Sequence, residues 1–464
     1  MQGPEGRCGV KNFDIAIIGS GPGGYVAALY ASRRSVSVCV IEKDLVGGTC
    51  LNRGCIPTKS LINSALVASG LKTAPAHGVI VDGYSIDFGT MMSRKAEVVT
   101  RLRTGIETLF RGSKVALVKG TAKITAPDTI SVDGREEIKA KYIIIASGSR
   151  VSGLPGITID ESVIFSSDGI LDIKHVPASL AVIGGGVIGC EFASLFNKLG
   201  SKVTIIEMTE RLIPTQSREI SKKLEMVFKK GGVDIHTGCT VESIGKGAAC
   251  GVSISGGTRV EAEKVLVSVG RRANTEALGL EGLGIRTQNG RICVDQHLRT
   301  SVPNIYAVGD CVPGPLLAHK ASYDGILACD HIAGKPRKAD YSNIPNCIWT
   351  DPEIASVGLS EDEAKAGHHD VKVAKFPYLA SGKAYLEGET EGFVKIIGTP
   401  KGEILGVEIF GKEACNLIGE ATLARTAAVT IKDWSCVVHG HPTLSEMFQE
   451  AAHIFCGTAI HSVV

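Results

Sequence analysis

The chain has 464 residues, more than one ordinary hydrophobic core can accommodate, so we expect about three domains. Apolar residues make up 44% of the sequence and charged residues 21%, as in a water-soluble globular protein. The net charge of +2 gives no argument for a nucleic-acid or membrane partner, and no apolar run is long enough for a membrane-spanning helix.

The N-terminal segment and the cysteine content bear on the location of the protein. Residues 1–7 show neither the apolar core of a signal peptide nor the Arg- and Ser-rich composition of a transit peptide. The sequence contains 14 cysteines, and most of them, such as Cys190 and Cys347, are isolated. We interpret the isolated ones as small buried residues in a reducing compartment and expect a cytoplasmic protein.

A glycine-rich turn follows the first apolar segment, 13–18, which predicts a buried strand. The motif G-x-G-x-x-G is formed by Gly19, Gly21 and Gly24. Between a strand and a helix, such a turn brings backbone N–H groups to a pyrophosphate at the positive end of the helix. The next strand ends at Glu42, whose carboxylate can hold the ribose of an adenine nucleotide. The turn alone could be structural, but together these features predict a nucleotide site.

The same pattern recurs 165 positions later, both for the turn (19 to 184) and for the acid (42 to 207). The second turn contains Gly184, Gly186 and Gly189. Two copies at a fixed offset predict two Rossmann-type units and two nucleotides. Glu207 would repel a 2′-phosphate and therefore favours NAD over NADP, although Arg211 and Arg218 lie nearby and keep that question open.

The first unit is longer than the second. A strand that runs into Gly148 corresponds to one that runs into Gly270, only 122 positions later, so the first unit carries 43 extra residues. These must lie between Glu42 and Gly148, in the region that contains Cys50 and Cys55. Two helical patterns are expected in the same region, at about 57–71 and 90–111.

The C-x-x-x-x-C spacing could mark two unrelated thiols, half a metal site or a redox pair. His439 and His441 could join a metal site, but no recognisable ligand set is present, and we predict no metal. In a regular helix, residues five apart have Cα atoms roughly 8–9 Å apart, whereas a disulfide usually requires less than about 7 Å. If the two thiols bond, the helix must be broken between them. Gly54 fits such a break, with a helix starting near Pro57.

The C-terminal part changes character. Strands are expected at 371–376, 392–397 and 403–410, and a helix over 413–431. We therefore predict an α/β chain with two Rossmann-type nucleotide-binding domains and a C-terminal α+β domain. The predicted boundaries are 1–151 for the first unit with its insertion, 152–273 for the second, 274–344 for a central segment and 345–464 for the α+β domain.

A histidine and an acid stand close together near the C-terminal end. His441 followed by Glu446 suggests a general base oriented by a carboxylate. Thr443 and Glu446 also have the spacing of a capping box, so the spacing leaves the role of Glu446 open between cap and orienter. His439 has no comparable partner in the sequence, and we interpret it as structural.

Together these motifs resemble those of the FAD-dependent pyridine nucleotide–disulfide oxidoreductases over essentially the whole chain. The stretches that carry the resemblance are 47–59, 306–310, 317–321 and 441–446. The resemblance implies FAD in the first unit, NAD in the second, and a homodimer formed through the C-terminal domain. It further implies oxidation of dihydrolipoamide on the lipoyl-bearing subunits of a 2-oxoacid dehydrogenase complex or glycine cleavage system, with reduction of NAD⁺.

The resemblance also implies roles for individual residues. Those expected to bind FAD are Gly19, Gly21, Gly24, Glu42, Lys59, Gly120, Ser147, Gly148, Asp310, Leu317, Ala318 and His319. Those expected to bind NAD are Gly184, Gly186, Gly189, Glu191, Glu207, Val241 and Gly270. The expected catalytic residues are Cys50, Cys55, Lys59, His441 and Glu446.

In this scheme the substrate thiolate attacks Cys50, and Cys55 faces the flavin. Lys59 lies near flavin N5 and pairs with Glu191. His441 of one subunit completes the active site of its partner.

Other members of that family fit less well. Mercuric reductases carry a cysteine pair at their C-terminal end, where this chain has only Cys456 nearby. Glutathione reductases use NADP, which Glu207 opposes, and soluble transhydrogenases lack one of the two redox cysteines. A flavoprotein kept as a structural or adhesive subunit would not require Cys50, Cys55 and His441 together.

Overall fold

The computed structural model of the chain describes residues 10–245, 247, 250–367 and 370–462. The segment 1–7, in which we expect no targeting signal, lies outside these residues. Within the described residues, three large sheets of seven, five and five strands organise the chain. Over the same residues, no helix combines the length and the apolar character that crossing a membrane requires.

The first nucleotide unit is built on a sheet whose central strands are parallel. Its elements are β1 (Lys11–Ile18), α1 (Pro22–Ser32), β2 (Val38–Glu42), α2 (Gly48–Arg53), α3 (Cys55–Thr73), α4 (Phe88–Gly112), β3 (Ala116–Lys119), β4 (Ala122–Ala126), β5 (Thr129–Val132), β6 (Glu136–Ile145) and β7 (Ser149–Val151). The strand order is β3-β2-β1-β6-β5-β4, and β1 lies parallel to both β2 and β6. Ile17 and Ile144 are fully buried on the face that α1, α4 and the helix Ala318–Ile332 of the central segment cover.

The second nucleotide unit repeats this arrangement. Its elements are β8 (Ile164–Ser166), β9 (Ser179–Ile183), α5 (Val187–Lys198), β10 (Lys202–Ile206), α6 (Arg218–Lys230), β11 (Asp234–His236), β12 (Val241–Gly245), β13 (Cys250–Ile254), β14 (Arg259–Ala262), β15 (Lys264–Val267) and β16 (Arg271–Ala273). Its parallel strands run in the order β11-β10-β9-β15, which is the order β3-β2-β1-β6 of the first unit. The prediction of two Rossmann-type units is confirmed.

The extra residues of the first unit lie between β2 and β3. The second unit makes the equivalent crossover, from β10 to β11, with the single helix α6, whereas the first unit uses α2, α3 and α4. The equivalent strands β3 and β11 begin only 118 positions apart (116 and 234), compared with 165 positions for the two glycine turns. The two cysteines therefore lie in an insertion that only the first unit has.

The central segment and the C-terminal domain complete the chain. Their elements are β17 (Thr287–Gln288), β18 (Arg291–Ile292), β19 (Ile305–Ala307), α7 (Ala318–Ile332), β20 (Asn346–Ile348), β21 (Ile354–Gly358), α8 (Glu361–Gly367), β22 (Lys372–Pro377), α9 (Gly382–Glu387), β23 (Phe393–Gly398), β24 (Ile404–Phe410), α10 (Ala414–Thr426), α11 (Ile431–Ser435) and α12 (Glu446–Cys456). Strand β19 pairs with β6, so the central segment returns to the first sheet. Strands β20-β21-β24-β23-β22 form an antiparallel sheet, which confirms the α+β character predicted for this part.

The prediction of one helix over 413–431 was wrong in its extent. Helix α10 ends at Thr426, and Ala428 adopts a left-handed conformation with φ of 52°. The N–H of Val429 closes the turn by donating to the carbonyl of Ala424 at 2.9 Å. Thr430 then caps α11 by accepting from the N–H of Asp433. Ala428, which extends the apolar spacing past the end of α10, is exposed and does not belong to the buried face that ends at Ala424.

Candidate active site

Helix α1 opens on the first glycine turn. Gly21 is its N-cap, and no side chain caps the helix. A Cβ on Gly24 would overlap the carbonyl oxygen of Gly19, and one on Gly19 would overlap that of Ala146. A Cβ on Gly21 would instead point into space where the nearest atom is the Cα of Gly48 at 3.9 Å. The uncapped N–H groups and this uncovered space fit the pyrophosphate of a dinucleotide.

Helix α5 opens on the second turn in the same way. Gly186 is its N-cap, again without a capping side chain, and a Cβ there would meet no atom within 4 Å. A Cβ on Gly189 would overlap the carbonyl oxygen of Gly184, and one on Gly184 would lie 2.6 Å from that of Ser268. The second turn therefore fits a second dinucleotide by the same test.

The acid that ends the second strand also holds the turn in each unit. Glu42 accepts from the N–H of Ser20 at 2.8 Å with one oxygen and from the N–H of Asp44 at 2.8 Å with the other. Glu207 does the same with Gly185 at 2.5 Å and Thr209 at 2.7 Å. We assigned both acids to a nucleotide ribose from the sequence. The structure shows that they are also buried acceptors for the turns, a role without a sequence signal.

The cysteine pair lies at a break between two helices. Helix α2 ends at Arg53 and α3 begins at Cys55, with Gly54 between them at φ −143° and ψ −113°. The predicted interruption is confirmed, although α3 begins two residues before Pro57. Both cysteines are free thiols in this structure, and the thiol of Cys50 hydrogen-bonds to Cys55.

The two thiols differ in acidity. The hydrogen bond from Cys50 lowers the pKa of Cys55 to about 7; burial acts against this shift, and the charge of Lys59 adds to it. Cys55 also stands at the N-terminus of α3, where the helix dipole favours a thiolate. The same hydrogen bond, together with burial, raises the pKa of Cys50. Cys55 is therefore the thiolate of the reduced pair.

The insertion contacts the first glycine turn at one end. The N–H of Gly47 donates to the carbonyl of Ser20 at 3.0 Å. A Cβ on Gly48, whose φ is +63°, would lie 2.6 Å from the Cα of Gly21. Only glycine permits this approach of the two backbones. The cysteine pair is thus held directly beside the first glycine turn, which we call the first dinucleotide cradle.

The other end of the insertion contacts the second unit. Lys59, in α3, donates to Glu191 at 2.6 Å, and Glu191 is buried in α5. The second oxygen of Glu191 accepts from the N–H of Trp349 at 3.0 Å. Glu191 therefore joins the insertion, the second unit and the strand that opens the C-terminal domain. The contribution of Trp349 could not be read from the sequence, because it comes from the backbone.

The other residues expected at the first cofactor make local contacts with neighbouring elements. The N–H of Gly120 donates to the carbonyl of Glu42 at 3.0 Å. Ser147 donates through Oγ to the carbonyl of Asn274 at 2.6 Å, and Gly148, next to it, has a φ of +68° with open space at its Cβ position. Asp310 follows β19 and accepts from Ser149 at 2.5 Å.

The remaining expected residues begin α7 or flank the second turn. Leu317 is the N-cap of α7 and Ala318 its first residue, and His319 contacts the carbonyl of Pro345 at 2.8 Å. Val241 starts β12, two residues after Cys239, whose N–H donates to the carbonyl of Glu207 at 3.0 Å. Gly270 has a φ of +114° with no atom within 4 Å of its Cβ position.

His441 and Glu446 form a pair of their own. The Nδ1 of His441 lies 2.9 Å from one oxygen of Glu446, whose other oxygen accepts from the N–H of Thr443 at 2.7 Å. Glu446 is the first residue of α12 and Ser445 its N-cap, so a full capping box is not formed. Burial acts to raise the pKa of Glu446, but the hydrogen bonds from Thr443 and His441 outweigh it and lower that pKa. Glu446 thus both ties the turn and orients the imidazole.

Within one chain His441 stands apart from the cysteines. No hydrogen bond or ion pair among the described residues links it to Cys50 or Cys55, and its side chain is 80% exposed. His439 differs, since it is buried and contacts Glu420 at 2.8 Å, a carboxylate that also accepts from Trp434 at 2.7 Å. We missed this partner because it lies 19 residues away in the sequence. In the described part of the chain, no three His, Cys, Asp or Glu side chains are grouped as metal ligands would be.

Two family models match the chain. The pyridine nucleotide-disulphide oxidoreductase model matches residues 13–325, and the dimerisation domain of the same family matches residues 344–452. The chain belongs to the pyridine nucleotide-disulphide oxidoreductase family. The C-terminal α+β domain is therefore the dimerisation domain of this family, in agreement with a homodimer.

Individual relatives support this assignment. The chain is 42% identical to a dihydrolipoyl dehydrogenase of Bacillus subtilis (strain 168), over 97% of this chain and 99% of the relative. It is 43% identical to the dihydrolipoyl dehydrogenase of Chlamydia pneumoniae (97% and 98% covered) and 41% identical to the mitochondrial one of Pisum sativum (97% and 92%).

Solved structures agree with the fold. LpdA from Mycobacterium tuberculosis matches with a TM-score of 0.90 at 27% identity, covering 96% of this chain and 99% of that one. The HOCl-induced flavoprotein disulfide reductase RclA from Escherichia coli, in its Cu(II) complex, matches with a TM-score of 0.87 at 27% identity, covering 96% and 100%. Dihydrolipoyl dehydrogenases of this family use FAD and NAD, the two cofactors that the sequence predicts.

Proposed function

We propose that this family member is a dihydrolipoyl dehydrogenase, which oxidises protein-bound dihydrolipoamide to lipoamide and reduces NAD⁺. The observation that carries the proposal is the dithiol of Cys50 and Cys55, placed between two dinucleotide cradles and beside the ion pair of Lys59 and Glu191. The relatives named above, which share about two-fifths of their residues with this chain over nearly its full length, support the choice of substrate.

The first half of the reaction is an exchange at sulfur. His441 takes a proton from a thiol of dihydrolipoamide, and Glu446 holds its imidazole in position. The substrate thiolate attacks Cys50 of the Cys50–Cys55 disulfide, which breaks the S–S bond and releases Cys55 as a thiolate. The second substrate thiol loses its proton and displaces Cys50, so that lipoamide leaves and a dithiol remains on the protein.

The arrangement of charges suits this product. Cys55 carries the negative charge because its pKa is lowered to about 7, first by the Cys50 thiol and then by Lys59. FAD, which Gly19, Gly21, Gly24 and Glu42 would hold, would supply the two-electron chemistry that links the dithiol to NAD⁺. Lys59 and Glu191 keep the thiolate between the two cradles, and Gly21 and Gly186 leave room for the two pyrophosphates.

A purified enzyme tests the proposal. The protein should be yellow and should form NADH from NAD⁺ and dihydrolipoamide. A yellow protein that forms no NADH from dihydrolipoamide, while its Cys50 and Cys55 still form a disulfide, would contradict the proposed substrate.

We further propose that each active site combines residues of two subunits. The support is that His441 is largely exposed and has no link to the cysteines of its own chain. Mixed dimers of Cys55→Ser and His441→Ala chains test this arrangement. Each parent homodimer should be inactive, whereas the mixed dimer should recover one active site of its two, since only one site then combines Cys55 with His441 of the partner subunit. An inactive mixed dimer would place the base in the same chain.

The enzyme also needs a protein that carries its substrate. We propose that the dimer serves lipoyl-bearing subunits of a 2-oxoacid dehydrogenase complex or a glycine cleavage system, in the cytoplasm. Pull-down with candidate lipoyl and core subunits, combined with cell fractionation, tests both statements, and retention of the protein by no lipoyl-bearing subunit would contradict the first.

A further inference from the structure

A second pair of thiols lies in contact in the C-terminal domain. Cys347 belongs to β20 and Cys415 to the first turn of α10, and each thiol is the largest influence on the pKa of the other. The sulfur of Cys347 lies 3.9 Å from the carbonyl oxygen of Cys415, and the sulfur of Cys415 lies 3.7 Å from that of Ile348. Both thiols are free and partly exposed. Each side chain thus reaches the backbone of the other's element, and this proximity makes the two cysteines candidates for a disulfide.

The surroundings of the two thiols are asymmetric. Cys415 has carbonyl oxygens of Ile348 and Ile354 at 3.7 Å, and its N–H donates to the carboxylate of Glu353 at 2.9 Å. Oxygen acceptors favour the protonated thiol, and the contact with Cys347 together with burial raises the pKa of Cys415. The hydrogen bond from Cys415 lowers the pKa of Cys347 against the effect of burial, and Lys59 contributes. These directions make Cys347 the more acidic thiol of the two, and the more acidic thiol is the better nucleophile at neutral pH.

The strand that carries Cys347 continues into the active site. Two residues after it, the N–H of Trp349 holds Glu191, the partner of Lys59. The N–H of Asp351 then donates to Ser194 of α5 at 3.2 Å. The charges of Lys59 and Glu191 act on the pKa of Cys55 and on that of Cys347 alike, so both dithiols lie near this ion pair.

We propose that Cys347 and Cys415 are a second redox-active dithiol, which exchanges with low-molecular-weight disulfides and, once oxidised, restrains the strand that holds Glu191. The Cys347 thiolate attacks one sulfur of the external disulfide, which forms a mixed disulfide and releases one thiol. The Cys415 thiol loses its proton and displaces the second. The balance is one external disulfide reduced to two thiols and one protein dithiol oxidised to a disulfide.

Thiol mapping tests the chemical step without any turnover. The reduced holoenzyme is equilibrated with mixtures of reduced and oxidised glutathione and quenched with acid, and the remaining thiols are alkylated before peptide analysis. The Cys347–Cys415 disulfide should appear as the oxidised fraction rises and disappear with dithiothreitol. It should be absent in Cys415→Ser and unchanged in Cys436→Ser, a matched control at an exposed cysteine of the same domain. This step is independent of the substrate proposed above.

The effect on the active site is measured with NADH and ferricyanide, because this assay contains no dithiol that would reduce the new bond. Oxidation should lower the initial rate roughly two- to tenfold in the wild-type enzyme and in Cys436→Ser. Cys415→Ser should show no such change. Hydrogen exchange of the segment 346–351 should slow on oxidation of the wild-type enzyme and of Cys436→Ser, and should not change in Cys415→Ser.

Three results would overturn the proposal. The first is that Cys347 and Cys415 stay fully alkylatable under conditions that oxidise Cys50 and Cys55 completely. The second is that the disulfide forms but changes neither the ferricyanide rate nor the exchange of 346–351. The third is that Zn²⁺ or Cu⁺ binds at one ion per chain, depends on Cys415 and blocks disulfide formation, which would make the pair a metal site instead.

Discussion

The two nucleotide units share one plan and differ in one insertion. In both, a glycine turn opens a helix without a capping side chain, and the acid that ends the next strand accepts N–H groups from the turn and from two residues beyond itself. The first unit alone carries α2 and α3, with the cysteine pair between them. The part that both units share binds the nucleotides, and the insertion adds a redox-active cysteine pair to the first unit.

The insertion also determines how the two units act together. It touches the first turn through Gly47 and Gly48 and the second unit through Lys59 and Glu191. A dithiol in this insertion lies between the two glycine turns that would bind the dinucleotides. A cysteine pair in either repeated part would serve one nucleotide only. The comparison therefore predicts that changes in the two units have separable effects, and that changes in the insertion affect their joint reaction.

The largest effect is expected from removing the flavin-facing sulfur. Cys55→Ser should lower dihydrolipoamide-dependent NADH formation by at least about 10³-fold, because the exchange has no thiol to release. Oxidation of NADH by ferricyanide needs no protein disulfide and should stay within about threefold of the wild type. The two assays on the same preparation check this prediction.

The matched control for that variant is Cys329→Ser, which alters a buried thiol of α7 that contacts the carbonyl of Ala27 at 3.5 Å. It should retain both activities. Equal losses of both activities in Cys55→Ser would show that the insertion supports the nucleotide sites themselves, and the division between shared and inserted parts would fail.

The next effect comes from the two equivalent glycines. In Gly24→Ala and Gly189→Ala, the added Cβ overlaps the carbonyl oxygen of the turn, in the first unit and in the second. Overpacking of this kind costs about 1–3 kcal/mol, equivalent to roughly ten- to hundredfold in affinity. Gly24→Ala should be purified with less FAD and bind NAD⁺ normally, whereas Gly189→Ala should keep its FAD and show a raised KM for NAD⁺.

Gly105→Ala in α4 is the control for both glycine variants, since nothing lies within 4 Å of its Cβ position. It should keep both cofactors, with unchanged or slightly higher stability. If Gly24→Ala and Gly189→Ala lost the same cofactor, the equivalence of the two turns would be contradicted.

These pairs of residues show what the sequence could and could not predict. The offset of 165 positions, shared by the glycine turns and by Glu42 and Glu207, predicted the two units, because repeats preserve spacing. The shorter offset of 122 positions between Gly148 and Gly270 predicted the insertion. The contact of Cys347 with Cys415 and the bond from Trp349 to Glu191 join residues 68 and 158 positions apart. Such contacts depend on how finished elements pack, so no local pattern indicates them.

A smaller effect is expected from the acids that hold the turns. Glu207→Gln keeps one oxygen acceptor but loses the charge and one N–H contact, which costs about 1.5 kcal/mol, or roughly tenfold in affinity. The KM for NAD⁺ should rise with kcat within about twofold, and the preference for NAD⁺ over NADP⁺ should weaken. Glu42→Gln should loosen FAD and leave the KM for NAD⁺ unchanged. A higher KM for NAD⁺ in Glu42→Gln would mean that the two cradles are not independent.

The smallest effect concerns the charges of Lys59 and Glu191, the ion pair that links the insertion to the second unit, and is visible as a pH dependence. Lys59 lowers the pKa of Cys55, after the larger effect of the Cys50 thiol, whereas Glu191 raises it. Lys59→Met should therefore move the midpoint of Cys55 alkylation in the reduced protein to higher pH, and Glu191→Gln should move it to lower pH. Near pH 7, where about half of Cys55 is ionised in the wild type, the first change slows alkylation and the second accelerates it. Lys72→Met, at the far end of α3, should leave the midpoint in place. Shifts of the same sign in Lys59→Met and Glu191→Gln would show that the ion pair acts on Cys55 through its position, and not through its charges.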